Sequence, residues 1–263
     1  MSPYWAILSG KFRTLLQYRA AALAGFACQL FFGYVLVMSY RGFYAAVDTP
    51  QPISLQQVVS YVWLGQALLG LMPWAADPDM RLLVRTGGVA YELLRPVNTY
   101  WLWYSRAIAQ RVAPTLLRSI PMFIVAFLFL GLEPPASLAS GVAWAAATVG
   151  AVLIGAAIAT LLGITLLWTL SGRGVNELVP AMVMLFSGML VPIPLLPAWA
   201  QRVLYLLPFR GIVDIPFRLY LGNIPPAHAL PLLAHQLFWA VALIALGQWV
   251  LGRGLRRMVI QGG

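Results

Sequence analysis

The sequence predicts an all-α membrane protein: six transmembrane helices, an N-terminal interfacial helix, short cytoplasmic helices between spans two and three, and a broken, re-entrant fifth span. Three observations carry this. Hydrophobic residues fill 61% of the 263 positions and charged residues 9%, too little charge to cover a soluble domain of this size. The apolar residues come in blocks that match a hydrocarbon core, which takes about 20 of them. From Leu138 to Leu170 there is no charged residue at all. Lysine and arginine are concentrated in alternate connecting segments, the pattern left when they are retained on the cytoplasmic side.

The chain reads as a single transmembrane domain, residues 1–263. No signal-peptide pattern opens it. Within residues 1–19, Trp5, Leu8, Phe12 and Leu15 step by three and four along one helix face, beside Lys11, Arg13 and Arg19. A basic amphipathic helix ahead of a span lies in the membrane interface. The spans follow at about 20–40, 55–76, 112–132, 142–170, 178–197 and 230–251.

Twelve basic residues fall on one side of this arrangement: Lys11, Arg13, Arg19, Arg81, Arg85, Arg95, Arg106, Arg111, Arg173, Arg253, Arg256 and Arg257. Four fall on the other: Arg41, Arg202, Arg210 and Arg218. Both termini are therefore expected in the cytoplasm. Arg118 sits inside span three, where it either snorkels to the interface or faces a cavity. The net charge of +10 follows topology rather than one patch, and nucleic acid is not an expected partner.

Span four carries Ala139, Ala143, Ala147, Ala151, Gly155, Ala159 and Gly163 at every fourth position. Small residues at that spacing admit another helix closely, from this chain or a second subunit. Trp144 and Trp168 bracket the span as interfacial anchors. In span five, Pro180 lies near the start, and Pro192, Pro194 and Pro197 interrupt the end. The chain stays apolar beyond them, which predicts a re-entrant path.

Catalytic patterns are missing. The single lysine, Lys11, precedes Phe12 and belongs to no phosphate-cradling loop. His228 and His235 have no cysteine or carboxylate nearby with metal-ligand spacing. Cys28 is alone in an apolar run and reads as a buried thiol. All seven acids fall in loops or at span ends, which argues against a proton- or sodium-coupled carrier. A membrane enzyme lacks its nucleophile and base, and a non-transporting scaffold is a further alternative.

Residues 77–106 are the informative connection. Asp77-Pro78-Asp79 is a helix start, Met80 to Val84 a short apolar helix, and Gly87-Gly88 its stop. A second segment runs from Val89 to Leu94 and ends before Pro96. Such a segment docks on a partner or lies among lipid headgroups.

The stretch R-T-G-G-V-A-Y-E-L-L-R-P-V, from Arg85 to Val97, resembles a motif of ABC-2 type permeases. L-P-F-R-G-I-V-D-I-P-F-R-L-Y-L-G, from Leu207 to Gly222, is similar to the segment before the last span in one branch of them. In that branch, which resembles viologen exporters, two different six-span permeases work with a separate ATPase. The resemblance implies half of the translocation pathway of an ATP-driven exporter in a bacterial inner membrane. It implies a second permease, homologous or identical, and two copies of an ATPase that carries the ATP and magnesium, with no cofactor on this chain. The 77–106 segment would be the coupling helix, with Leu82, Leu83, Arg85, Glu92, Leu93, Leu94 and Arg95 meeting the ATPase. Residues 192–222, with Pro192, Pro194 and Pro197, would form the external gate. Drugs, lipid-linked glycans, polysaccharides and cationic compounds are all substrates of such exporters.

Overall fold

Backbone at membrane depth has no water to bond, so it closes its hydrogen bonds within helices or is buried against protein. Both solutions occur here. The computed structural model describes residues 3–167 and 173–257, and their regular structure is entirely helical. The α-helices are α1 (Pro3–Leu16), α2 (Arg19–Ala46), α3 (Leu55–Leu68), α4 (Pro78–Arg85), α5 (Val89–Leu93), α6 (Thr99–Phe129), α7 (Leu138–Thr165), α8 (Arg173–Phe186), α9 (Ala198–Leu204), α10 (Asp214–Tyr220) and α11 (Ala229–Arg257).

The expected six spans are corrected to four. Among the described residues only α2, α6, α7 and α11, the last with the 3-10 turn leading into it, are long and apolar enough to cross a bilayer. α3 and α8 have 14 residues each. At 1.5 Å per residue each rises about 21 Å, short of a hydrocarbon core of about 30 Å.

Local chemistry fixes the length of α3. Ser54 and Gln57 form a capping box at its start, Gln57 N–H donating to Ser54 Oγ (3.2 Å) and Ser54 N–H to Gln57 Oε1 (3.1 Å). A 3-10 turn over Leu69–Leu71 and then Pro73 end it. Every residue from Val58 to Ala67 is buried, so α3 shows lipid no face over that stretch. The apolar run at 55–76 is an internal helix followed by an irregular return path. That path brings Asp79 into an ion pair with Lys11 of α1.

The fifth apolar run breaks earlier than its last prolines suggest. α8 contains Pro180 and ends before Gly188, whose φ of +89° suits glycine and strains other residues. Residues 187–222 continue as short helical pieces, with α10 packed on α7 and buried from Asp214 to Phe217. Span three is instead longer than expected. Asn98 Oδ1 accepts from Trp101 N–H (3.3 Å) and starts α6 at Thr99. Residues 99–106 thus belong to a 31-residue helix that continues through Pro114 and Pro121.

The small residues of α7 pack within this chain. Ala143 to Gly163 are buried at every fourth position, while Ala139 is exposed. A Cβ on Gly155 would lie 2.8 Å from the Leu71 carbonyl oxygen, and one on Gly163 would collide with Met80 of α4. Trp168 lies outside the described residues, so the second aromatic anchor has no structural counterpart here. Cys28 is exposed on α2 rather than buried.

Two ends of the molecule are distinct. One hydrophobic cluster joins Ile7 of α1, Met80 of α4, Val89 of α5, Trp103 of α6 and Leu251 of α11. At the opposite end Gln56 Nε2 donates to the Gly131 carbonyl (2.7 Å) and Ala136 N–H to the Tyr220 carbonyl (3.0 Å).

Gly155→Leu is expected to disrupt folding, because the obstructing atom is backbone and overpacking costs about 1–3 kcal/mol even where side chains can yield. Val149→Ala, on the exposed face of α7, is the mild control. Thermal unfolding in detergent and yield of monodisperse protein compare the two. Equal tolerance would show that the close approach is not needed.

Candidate functional site

The α4–α5 segment is built as two short helices with opposite faces committed differently. Asp77 caps α4, its Oδ1 accepting from Asp79 N–H (2.8 Å), and Pro78 occupies the first turn, where a missing N–H costs nothing. Gly87, at φ +71°, ends the helix. Met80 points inward against α7 and is buried. Leu83 and Leu93 are half-buried and pack against the same cluster as Met80. Leu82, Tyr91 and Leu94 project outward, 63%, 76% and 81% exposed. Arg85 and Arg95 are exposed beside them. A recess of about 320 Å³ opens next to α4, lined by Ala75, Ala76, Pro78, Arg81, Leu82 and Arg85.

Glu92 does not share that outward face. It is buried, with Trp103 Nε1 donating to Oε2 (2.8 Å) and Arg106 Nη2 paired with Oε1 (2.6 Å). The carboxylate therefore fastens α5 to the second turn of α6. The seven sequence-selected residues thus divide: Leu82, Arg85, Leu94 and Arg95 present a surface, while Leu83, Glu92 and Leu93 hold it in place. Arg118 is half-buried at the contact of α6 with α2, its guanidinium filling the space a Cβ on Gly25 would need.

In the segment after α8, Pro192 is buried, Pro194 half-buried and Pro197 exposed. Gln201 Nε2 donates to the carbonyls of Pro194 (3.2 Å) and Leu196 (2.8 Å), bracing the turn between them. The Tyr40 hydroxyl donates to the Leu190 carbonyl (3.0 Å), which ties this segment to α2.

A family model described as ABC-2 family transporter protein matches residues 29–262. The chain belongs to that family. Among curated proteins, none matches it.

Sequence reasoning missed the interior charges of this ABC-2 permease. Asp214 is wholly buried between Arg210 (3.3 Å) and Arg218 (3.7 Å). Arg218 Nη1 also donates to the Tyr205 hydroxyl (3.2 Å), and the Arg210 guanidinium lies 4.2 Å from the centre of the Tyr205 ring. Burial pushes the Asp214 carboxyl up, an effect the two arginines oppose; burial pushes Arg210 down. The repeat Arg210–Asp214–Arg218, four residues apart, was the available clue. Counting Asp214 as a loop acid hid it. Arg111 is a second case: assigned to a connecting segment, it is buried inside α6 with Nη1 donating to the Ala107 carbonyl (2.7 Å). Among the described residues no cluster of three or more His, Cys, Asp or Glu side chains forms a metal site.

Removing the Glu92 carboxylate leaves Arg106 and the Trp103 indole without it. Breaking a buried pair from one side costs about 3–5 kcal/mol. Glu92→Ala should therefore lower the unfolding temperature of the permease in detergent, whereas Arg85→Ala on the surface should change stability by no more than about 0.5 kcal/mol. Matching unfolding temperatures for the two variants would contradict the anchoring role.

Proposed function

We propose that this permease is the membrane subunit of an ATP-driven exporter, coupled through α4 and α5 to an ATPase on a separate polypeptide. Two such ATPase copies and a second ABC-2 permease, homologous or identical, complete the transporter. Each permease lines half of the translocation pathway. The membrane is the bacterial inner membrane, and both termini and the α4–α5 segment are cytoplasmic. The family assignment supports permease function. The observation that carries the coupling reading is the exposure of Leu82, Tyr91 and Leu94 on short helices that protrude beside the start of a spanning helix. Apolar side chains held outward on a rigid base are the form of an interface anchor.

In this mechanism ATP binding closes the ATPase pair and displaces α4 and α5. Their attachment through Glu92, Trp103 and Arg106 passes the displacement to α6. The broken segment from 187 to 222, with Pro192, Pro194 and Pro197, serves as the external gate. Asp214, held by two arginines, is a structural carboxylate in this scheme rather than an ion-coupling group. Arg118, seated on α2, is a packing residue. The one-sided distribution of basic residues supports the orientation.

Leu82→Asp and Leu94→Asp each place a carboxylate where an apolar anchor enters the ATPase groove. Either change is expected to abolish co-purification of the cognate ATPase at equal membrane abundance. Normal recovery of the ATPase by both variants would remove α4–α5 from the mechanism.

Orientation is tested separately with single cysteines in a Cys28→Ala background. Thr49→Cys should react with an impermeant thiol reagent in intact cells, and Thr86→Cys only after permeabilisation. Labelling of Thr86→Cys from outside would reverse the assignment.

A further inference from the structure

The charges on α4 and α5 specify the chemistry of the surface they meet. By composition the segment 77–97 is balanced, with Asp77, Asp79 and Glu92 against Arg81, Arg85 and Arg95. By structure it is not. Asp77 is buried at the cap of α4. Asp79 is ion-paired with Lys11 of α1. Glu92 is buried against Trp103 and Arg106. Asp79 and Glu92 are thus ion-paired within the chain, and Asp77 is buried with one oxygen on the Asp79 N–H. Arg85 and Arg95 are exposed, and neither forms an ion pair among the described residues. Arg81 lines the recess beside α4 together with Arg85. The outward face is consequently apolar and cationic, with no exposed, unpaired carboxylate among the described residues between 77 and 97.

We infer that the partner of this face is an ATPase groove with an apolar floor and an acidic rim. Leu82, Tyr91 and Leu94 enter the floor, Arg85 and Arg95 meet carboxylates at the rim, and one acidic side chain of the ATPase enters the recess at Arg81 and Arg85. The inference rests on the coupling reading and adds the charge of the partner to it. An anionic lipid surface also attracts arginine. The recess favours protein: it is a concavity lined by Ala75, Ala76, Pro78 and Leu82 together with the side chains of Arg81 and Arg85, so it fits a projecting side chain. Complementary rims speed encounter and reject wrong partners, so this face also selects one ATPase from others in the same cell.

The test is a pair of double variants in the full-length permease, assayed with its cognate ATPase supplied as a purified subunit. Arg85→Glu with Arg95→Glu should lower ATPase recovery about tenfold or more at low salt, and high salt should narrow the difference from wild type by screening. Arg85→Lys with Arg95→Lys should retain most of the recovery. Leu82→Asp serves as the internal reference. If it abolishes recovery while the glutamate variant binds normally at both salt levels, docking stands and the acidic rim is wrong. If Leu82→Asp also binds normally, the coupling reading itself fails. A glutamate variant that recovers the ATPase fully but loses affinity for phosphatidylglycerol vesicles would overturn the proposal in favour of lipid. The arginines are exposed and, among the described residues, unpaired, and monodispersity in detergent checks that both variants fold.

Discussion

The small-residue face of α7 is the constraint on which the rest of the permease depends. Irregular backbone survives at membrane depth only where protein covers it. In this fold that cover is supplied by a helix that has given up side-chain volume at Ala147, Ala151, Gly155 and Gly163. The Leu71 carbonyl approaches at Gly155 and Met80 at Gly163. On the same helix the Ala147 carbonyl accepts from Gln236 Nε2 (2.8 Å), which also donates to the Gly211 carbonyl (2.6 Å). One helix therefore holds the return path from α3, the base of α4, and the place where α11 meets the turn at Gly211 that precedes α10. Larger residues on it would separate three segments at once.

A second level of organisation comes from pairing charges inside the chain. Lys11 with Asp79, Arg106 with Glu92, and Arg210 with Asp214 each join separate elements, and Arg218 adds a second partner to Asp214 within α10. The pairs at Glu92 and Asp214 are buried; such pairs contribute little net stability compared with apolar packing, but losing one partner is costly. Their value here is positional. They decide which side chains of α4 and α5 are left to face outward.

The class of the protein was legible in its sequence because apolar block length and basic asymmetry are one-dimensional properties. So were the start of α4 at Asp77-Pro78 and its stop at Gly87, which depend on local backbone chemistry. The count of spans was not. Hydropathy measures whether a segment avoids water, and α3 avoids it by being enclosed in protein. The same limit hid Asp214 and Arg111, whose burial depends on neighbours far away in sequence. Glu92 was selected as a residue of the segment, yet its direction was unreadable, since the facing Trp103 and Arg106 only matter once α6 is known to begin at Thr99. The early start of α6 was masked by Arg106 and Arg111, charges that looked like the edge of a loop.

The enclosure of α3 sets an order for the birth of the protein. When α3 leaves the ribosome, only α2 precedes it in the membrane among the helices that cover it. Its other neighbours, α6 and the segment from Gly188 through Phe217 of α10, are not yet made. A 14-residue helix with buried Ser60 and Gln66 and an irregular tail is a poor passenger in lipid by itself. Its enclosure is complete only once α6 and α10 have been made to surround it. The buried place of α3 therefore depends on residues made well after it, the last of them in α10.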